Sequence, residues 1–348
     1  MLRFIGRILQ WLRGGALKLL AIAGAILLIW GIVSPVGTLV WWFQQGSELL
    51  GLKQNRSKYS QPRSRSLRAP NSTSIPKSKE INCYIVFLPG VGDFSADELT
   101  PGETAFLNNL VQTHPNCVAV GDVFPYSVAN KSLGGQRAMA PVWRFANEAK
   151  SSLPIADVLI KIRNLWRFAI SADPRYGTIY NQGIASAIID RMNAKHPIPQ
   201  DSSQPIKIIL IGTSGGAEVS LNAVPYLKQQ LNANVTVLSI GGVFNGKNGF
   251  DASDHVYHFR GRRDLIEDIG GIVFPSRWLW NVASPFTQAR MAGRYTSTIS
   301  GPHAHDGPEG YFGEAPVAGN GITYVDLTLQ QVNQLPIWSE QKPQKTQQ

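Results

Sequence analysis

The chain has 348 residues, 43% of them hydrophobic, a composition that allows one large buried core or two smaller ones and excludes a fibrous or wholly disordered protein. The formal net charge of +10 is concentrated before residue 80, where twelve basic side chains accompany one acid, Glu48. Residues 80–348 therefore sum to −1. The charge belongs to an N-terminal tail, so no nucleic-acid-binding face is expected on the rest of the chain.

Residues 1–50 are predicted to form an interfacial segment and a transmembrane anchor. No charged residue occurs in 19–43, and a helix over this range would be about 37 Å long, against an apolar bilayer core of roughly 30 Å. A cleavable signal peptide is the alternative, but Trp41 and Trp42 close the stretch like an interfacial belt, which favours an uncleaved single-pass anchor. Basic residues flank the span almost equally, so the membrane side of the C-terminal domain stays undetermined.

Residues 51–79 are predicted to be a disordered linker, because they are rich in serine, proline and basic residues and poor in apolar ones. Such basic side chains attract anionic headgroups by about 1 kcal/mol each at most, and a plain solvated tether is the alternative. A folded domain is expected over 80–335, with an insertion at about 126–178 and a polar tail over 336–348.

From residue 83 onward, apolar strands alternate with helices, which predicts an α/β fold with a mostly parallel, doubly wound sheet. The predicted strands cover 83–88, 117–120, 206–211, 235–240, 255–259 and 295–299. The predicted helices cover 102–112, 153–170, 180–195, a region from 217 and a region around 276–292. The amphipathic helix at 153–170 either covers the body of the domain or forms a lid over a pocket.

The two cysteines, Cys83 and Cys117, each lie near the start of a predicted strand. One bridge between neighbouring strands is conceivable in an oxidising compartment. Two reduced, buried thiols are the expected state.

The most informative stretch is 206–227, IKIILIGTSGGAEVSLNAVPYL, in which a buried strand gives way to a helix. Between them, Gly212, Ser214 and Gly216 form a G-x-S-x-G pattern in a strand-to-helix turn, where the glycines avoid collisions with neighbouring elements. The pattern predicts an exposed nucleophile at Ser214, beside a helix N-terminus that favours developing negative charge. A tight structural turn is the alternative.

A serine nucleophile needs a base, usually a histidine that a carboxylate orients. His303 and His305 lie in a loop directly after the last predicted strand, at the edge where ligands meet open α/β sheets. Asp264 follows an earlier strand at the same edge, and Asp268 is the alternative acid. A metal site would need a third ligand at suitable spacing, so no metal is expected.

The elbow GTSGG, the upstream loop LPGVGDF, the acid after the strand at 255–259 and the loop GPHAHDGPEGYF together resemble the α/β-hydrolase superfamily of lipases and esterases, over about residues 81–330. The resemblance implies that Ser214 is the nucleophile and Asp264 the orienting acid. It implies that His305 is the base, preferred over His303 because it lies deeper in its loop.

The same resemblance implies an oxyanion hole made by the backbone N–H groups of Gly215 and Val91, and no cofactor. The expected function is that of a membrane-anchored serine hydrolase, which cleaves a carboxylic ester of a lipid or another acyl group through an acyl-enzyme. An acyltransferase with the same triad, and a non-catalytic module for binding or scaffolding at the membrane surface, are the alternatives. The expected partners are the ester substrate and the membrane, and not nucleic acid.

Overall fold

The computed structural model describes residues 81–92, 99–128, 130, 154–199, 204–247, 249–319 and 321–338. All of them belong to one compact unit, Ile75–Gln348. The predicted anchor, the linker, residues 131–153 of the insertion and most of the polar tail lie outside the described residues. Among the helices that are described, none combines the length and apolar character needed to cross a bilayer.

Six parallel strands form one sheet in the described part of the chain. They are β1 (Cys83–Leu88), β2 (Cys117–Val120), β3 (Ile206–Thr213), β4 (Ala233–Ile240), β5 (His255–Gly261) and β6 (Tyr295–Gly301). Their order is β2-β1-β3-β4-β5-β6, and every neighbouring pair is parallel. The predicted α/β class with a parallel sheet is therefore confirmed.

The interior strands β1 and β3 are almost entirely apolar because the sheet is covered on both faces there. All six residues of β1 are buried, and in β3 only Lys207 is partly exposed. Parallel strands that are covered on both faces have continuous apolar sequences, and for this reason β1 and β3 could be predicted from the sequence. The strand that leads to Ser214 thus lies inside the sheet, between β1 and β4.

Seven α-helices surround the sheet within the described residues. They are α1 (Pro101–Thr113), α2 (Pro154–Ala172), α3 (Gly177–Lys195), α4 (Gly216–Gln230), α5 (Leu265–Val273), α6 (Pro285–Met291) and α7 (Tyr324–Asn333). Side chains of α1 and α7 share one core cluster with alternate residues of β1, β3, β4 and β5. Helices α3 and α4 contact each other and the central strands, outside that cluster.

The predicted helical region around 276–292 was wrong in its first half. The helical region around 276–292 is a short 3₁₀ turn (Pro275–Arg277) followed by α6, which begins only at Pro285 behind the N-cap Ser284. Helices α5 and α7 were not predicted. After α7, the Trp338 indole stacks on the His114 ring at a centroid distance of 3.6 Å.

Cys83 and Cys117 form a disulfide, so the expectation of two reduced thiols was wrong. The register of β1 against β2 places these two residues directly opposite each other, with Cα atoms 4.3 Å apart. Two cysteines at adjacent strand starts indicate a possible bridge, but only the register decides whether the sulfur atoms meet. The bond joins the edge strand to the interior of the sheet.

We predict that replacing both cysteines, Cys83→Ala with Cys117→Ala, lowers the free energy of unfolding by about 3–4 kcal/mol. The bond closes a loop with a sequence separation of 34 residues and so restricts the unfolded chain. Denaturant unfolding of the variant and of the oxidised wild type measures the difference. Reductant should destabilise the wild type alone, and an equal response of both proteins would contradict the prediction.

Candidate active site

Ser214 occupies a sharp turn between β3 and α4, with a backbone φ of +49°. This left-handed conformation is unfavourable for a residue with a side chain and persists only where the surroundings enforce it. The two outer glycines allow the turn. A Cβ at Gly212 would lie 2.5 Å from Ala217 Cα, and one at Gly216 would lie 2.2 Å from the Leu88 carbonyl oxygen. The predicted elbow geometry therefore has a direct steric cause.

The loop after β1 packs directly over Ser214. A Cβ on Gly90 would lie 3.3 Å from Ser214 Cβ, and a Cβ on Gly215 would lie 2.8 Å from Val91 Cγ1. Gly215 and Val91, the two predicted oxyanion donors, are thus neighbours beside the serine. Asn164 of α2 donates a hydrogen bond of 2.9 Å to the Val91 carbonyl and so holds this loop in place.

Ser214, His305 and Asp264 form a continuous hydrogen-bonded chain. His305 Nε2 lies 2.9 Å from Ser214 Oγ, and His305 Nδ1 lies 2.8 Å from Asp264 Oδ1. Ser214 follows β3, Asp264 follows β5 and His305 follows β6, and the three loops meet at the carboxyl edge of the sheet. With Nδ1–H donating to the carboxylate, Nε2 is free to accept the serine proton.

Asp264 is buried and fixed from several directions. It is the N-cap of α5, and its Oδ1 accepts hydrogen bonds from the backbone N–H groups of Ile266 and Glu267. Its Oδ2 accepts one of 2.8 Å from the Tyr311 hydroxyl. Burial acts to raise the pKa of Asp264, but the bonds from His305, Glu267 and Tyr311 outweigh it and hold the pKa below its usual range.

The other two candidates lie outside this chain of hydrogen bonds. His303 is buried, with its ring between Ser300 Oγ and the Tyr324 carbonyl and stacked on Tyr311 at a centroid distance of 4.9 Å. Asp268 is half-exposed and pairs with Arg260 at 2.8 Å. Of the two histidines, only His305 reaches Ser214.

A cleft of about 730 Å³ opens over Ser214 and His305. Val91, Ile266 and Phe312 contribute apolar walls, and Lys161 of α2 reaches its rim. This volume suits a small-molecule or acyl-chain ligand. Among the described residues, no group of three or more histidine, cysteine, aspartate or glutamate side chains could hold a metal ion.

A buried polar cluster lies behind the elbow, around Glu218 in the first turn of α4. Its carboxylate accepts hydrogen bonds from the Asn245 backbone N–H at 2.8 Å and from Asn222 Nδ2 at 2.9 Å. Burial raises the pKa of Glu218 to about 7, although these hydrogen bonds oppose the shift. Glu218 therefore titrates in a range where a glutamate is ordinarily charged.

Two residues of the site were missed by sequence reasoning. Tyr311 donates to Asp264 and accepts a hydrogen bond of 2.6 Å from the Gly261 N–H. Glu267 is buried among His258, Arg260 and Arg277, which fixes the first turn of α5 behind the acid. The sequence could have indicated Glu267, because an aspartate followed three residues later by a glutamate is a common pattern at helix starts.

Comparison with protein-family models, with curated proteins and with solved structures finds no match.

We predict that Tyr311→Phe lowers the free energy of unfolding by about 2–3 kcal/mol, since it removes a partner from the buried Asp264 carboxylate and another from the Gly261 N–H. Asp264 has a depressed folded pKa, so its contribution is present above its unfolded pKa and lost as pH falls through the folded value. The variant should therefore unfold at a higher pH in acid titrations. Tyr257→Phe, in a buried tyrosine of β5 outside the site, is the matched control, and equal effects of the two would count against the assignment.

We predict that Glu218→Gln changes how stability depends on pH. A carboxyl whose pKa rises from 4.5 to about 7 on folding binds more protons when folded, so its contribution falls as pH rises through that window. Relative to wild type, the variant should gain about 2–3 kcal/mol between pH 5 and pH 8. Denaturant unfolding at both pH values measures this gain. The exposed Glu314→Gln is the control, and a difference independent of pH would show that Glu218 titrates normally.

Proposed function

We propose that the chain is a serine hydrolase of the α/β-hydrolase type that cleaves a carboxylic ester through an acyl-enzyme on Ser214. One observation carries the proposal, namely the hydrogen-bonded chain from Ser214 through His305 to the buried Asp264. The six-stranded parallel sheet supports it, since the serine directly follows an inner strand and its two partners follow later strands at the same carboxyl edge. The predicted N-terminal anchor would hold the enzyme at a membrane.

In the proposed acylation step, Ser214 Oγ attacks the ester carbonyl carbon while its proton passes to His305 Nε2. Asp264 orients the imidazole through Nδ1 and stabilises the positive charge that develops on it. The tetrahedral intermediate then collapses. The bond to the leaving alcohol breaks, and His305 returns the proton to the alkoxide oxygen.

The negative charge on the former carbonyl oxygen would be stabilised by the backbone N–H groups of Gly215 and Val91, with the N-terminus of α4 behind them. Loss of one such donor typically costs about 3–4 kcal/mol of transition-state stabilisation. In deacylation, His305 takes a proton from water as the water oxygen attacks the acyl carbon. The bond from the acyl carbon to Ser214 Oγ then breaks, His305 returns the proton to Oγ and the carboxylic acid leaves. The left-handed φ of +49° at Ser214 favours catalysis over a scaffold role, because a binding module gains nothing from this strain.

We predict that a fluorophosphonate probe labels the detergent-solubilised full chain and that Ser214→Ala abolishes the labelling. His305→Gln should slow the labelling by a factor of about 10³ or more, since the serine then has no base. His303→Gln is the matched control in the same loop and should keep most of the labelling rate, because His303 has no contact with Ser214. The measurement is gel fluorescence against time.

Three outcomes would contradict this assignment. Labelling that survives in Ser214→Ala would place the reactive nucleophile elsewhere. A folded wild type, verified by its circular dichroism and cooperative unfolding, that is not labelled would exclude an activated serine. A His303→Gln variant slower than His305→Gln would exchange the roles of the two histidines.

A further inference from the structure

Beside the cleft, the domain exposes a large apolar surface, which we term the α5 face. It consists of exposed side chains on α5 and on the segment after it: Leu265, Ile266, Ile269, Ile272, Val273, Leu279, Trp280 and Val282. Leu265, Ile272 and Trp280 are 71%, 69% and 75% exposed, far beyond what large apolar side chains usually show. Contiguous apolar surface of this kind marks an interaction site.

The two parts of the α5 face are held together by specific contacts. Trp278 Nε1 donates a hydrogen bond of 2.9 Å to the Ile272 carbonyl at the end of α5. The Trp278 ring lies 4.9 Å from the Trp280 ring, measured between centroids. The residues after the helix therefore extend the surface that α5 begins.

The acids of α5 do not interrupt this face with free negative charge. Glu267 is buried and pairs with Arg260 at 2.6 Å and with Arg277 at 2.9 Å. Asp268 pairs with Arg260 at 2.8 Å. Since both acids of the helix are neutralised by arginines, the face can approach an apolar or anionic surface without repulsion from α5.

The α5 face reaches the edge of the proposed catalytic cleft. Helix α5 begins directly after its N-cap, Asp264, and Ile266 belongs both to the face and to the wall of the cleft that contains Ser214. A partner bound to the face would therefore lie at the mouth of the cleft.

We propose that the α5 face docks on the surface of a lipid bilayer and sets the mouth of the Ser214 cleft against it. Exposed leucine and isoleucine with the exposed Trp280 are the side chains that enter the boundary between headgroups and acyl chains. The N-terminal sequence supplies the second argument. Its uncharged stretch at 19–43 is the predicted anchor, which would hold the domain near a bilayer.

The length of chain between the predicted anchor and the domain permits this docking. If the predicted linker is a flexible chain, the roughly 36 residues from 44 to 79 would have a root-mean-square span of about 30–35 Å. A tether of this length would keep the domain at a high effective concentration at the membrane, so that even modest affinity of the α5 face would suffice. One consequence of the inference rests on the proposed function, namely that the ester substrate is an acyl lipid that enters the cleft from the bilayer.

The test uses the full chain in phosphatidylcholine nanodiscs, with a single cysteine introduced as Trp280→Cys and labelled with a nitrobenzoxadiazole dye. Cys83 and Cys117 are joined to each other, so the new thiol is the reactive one. We expect blue-shifted emission and quenching by spin-labelled phosphatidylcholine. Gln112→Cys is the control, because it lies on α1 next to β2, at the other end of the sheet, and should not be quenched.

Each outcome decides between occupants of the face. An unquenched, unshifted label at position 280 would overturn the proposal. Blue-shifted emission without lipid quenching would show that another segment or a second copy of the chain covers the face, which also overturns it. Quenching at both positions would reveal unspecific contact and no docking face.

A second pair of assays separates this inference from the proposed function. Leu279→Asp with Trp280→Asp should lower hydrolysis of a fluorogenic lipid ester in the nanodisc by about tenfold or more, since burial of two large apolar side chains is lost. Hydrolysis of water-soluble p-nitrophenyl acetate should not change. If the wild type cleaves neither ester, the proposed function fails while the quenching result still tests docking. Equal loss on both esters would overturn the docking role.

Discussion

The site is built around a buried negative charge at Asp264. An ionised carboxyl out of contact with water is tolerated only where hydrogen bonds and charges replace its hydration. Here they come from the N-terminus of α5, from the Tyr311 hydroxyl and from the His305 ring. The His303 ring stacks on the other side of this hydrogen-bonded group, against Tyr311. The loops after β5 and β6 therefore meet at Asp264, and this meeting places His305 within reach of Ser214.

Much of this arrangement could be predicted from short stretches of sequence. The elbow was predictable because its glycines, its buried strand and its helix lie within one short stretch, so no long-range information was needed. The acid was predictable because it follows a strand at the carboxyl edge. The preference for His305 over His303 rested on resemblance, and the structure explains the geometry: His303 turns into the core and His305 turns toward Ser214.

Other features depend on contacts between distant segments and could not be derived in this way. The disulfide requires the register of β1 against β2, which two short strands do not specify by themselves. The bond from Tyr311 to Asp264 joins residues 47 positions apart. Helix α5 was missed because it is short, contains Gly270 and Gly271, and exposes its apolar residues while Glu267 is buried, the reverse of the pattern by which a surface helix is recognised. The most unusual helix of the domain was for that reason the hardest to predict.

The bond between Cys83 and Cys117 has a further consequence for how the sheet ends. Strand β2 is only four residues long, and among the described strands it lies at the edge and pairs with β1 alone. Were β2 to detach, β1 would present a fully apolar strand with unpaired backbone groups, a template on which other chains could add as new strands. The covalent link keeps the short strand in register over β1. It therefore protects the protein against edge-to-edge aggregation as well as against unfolding.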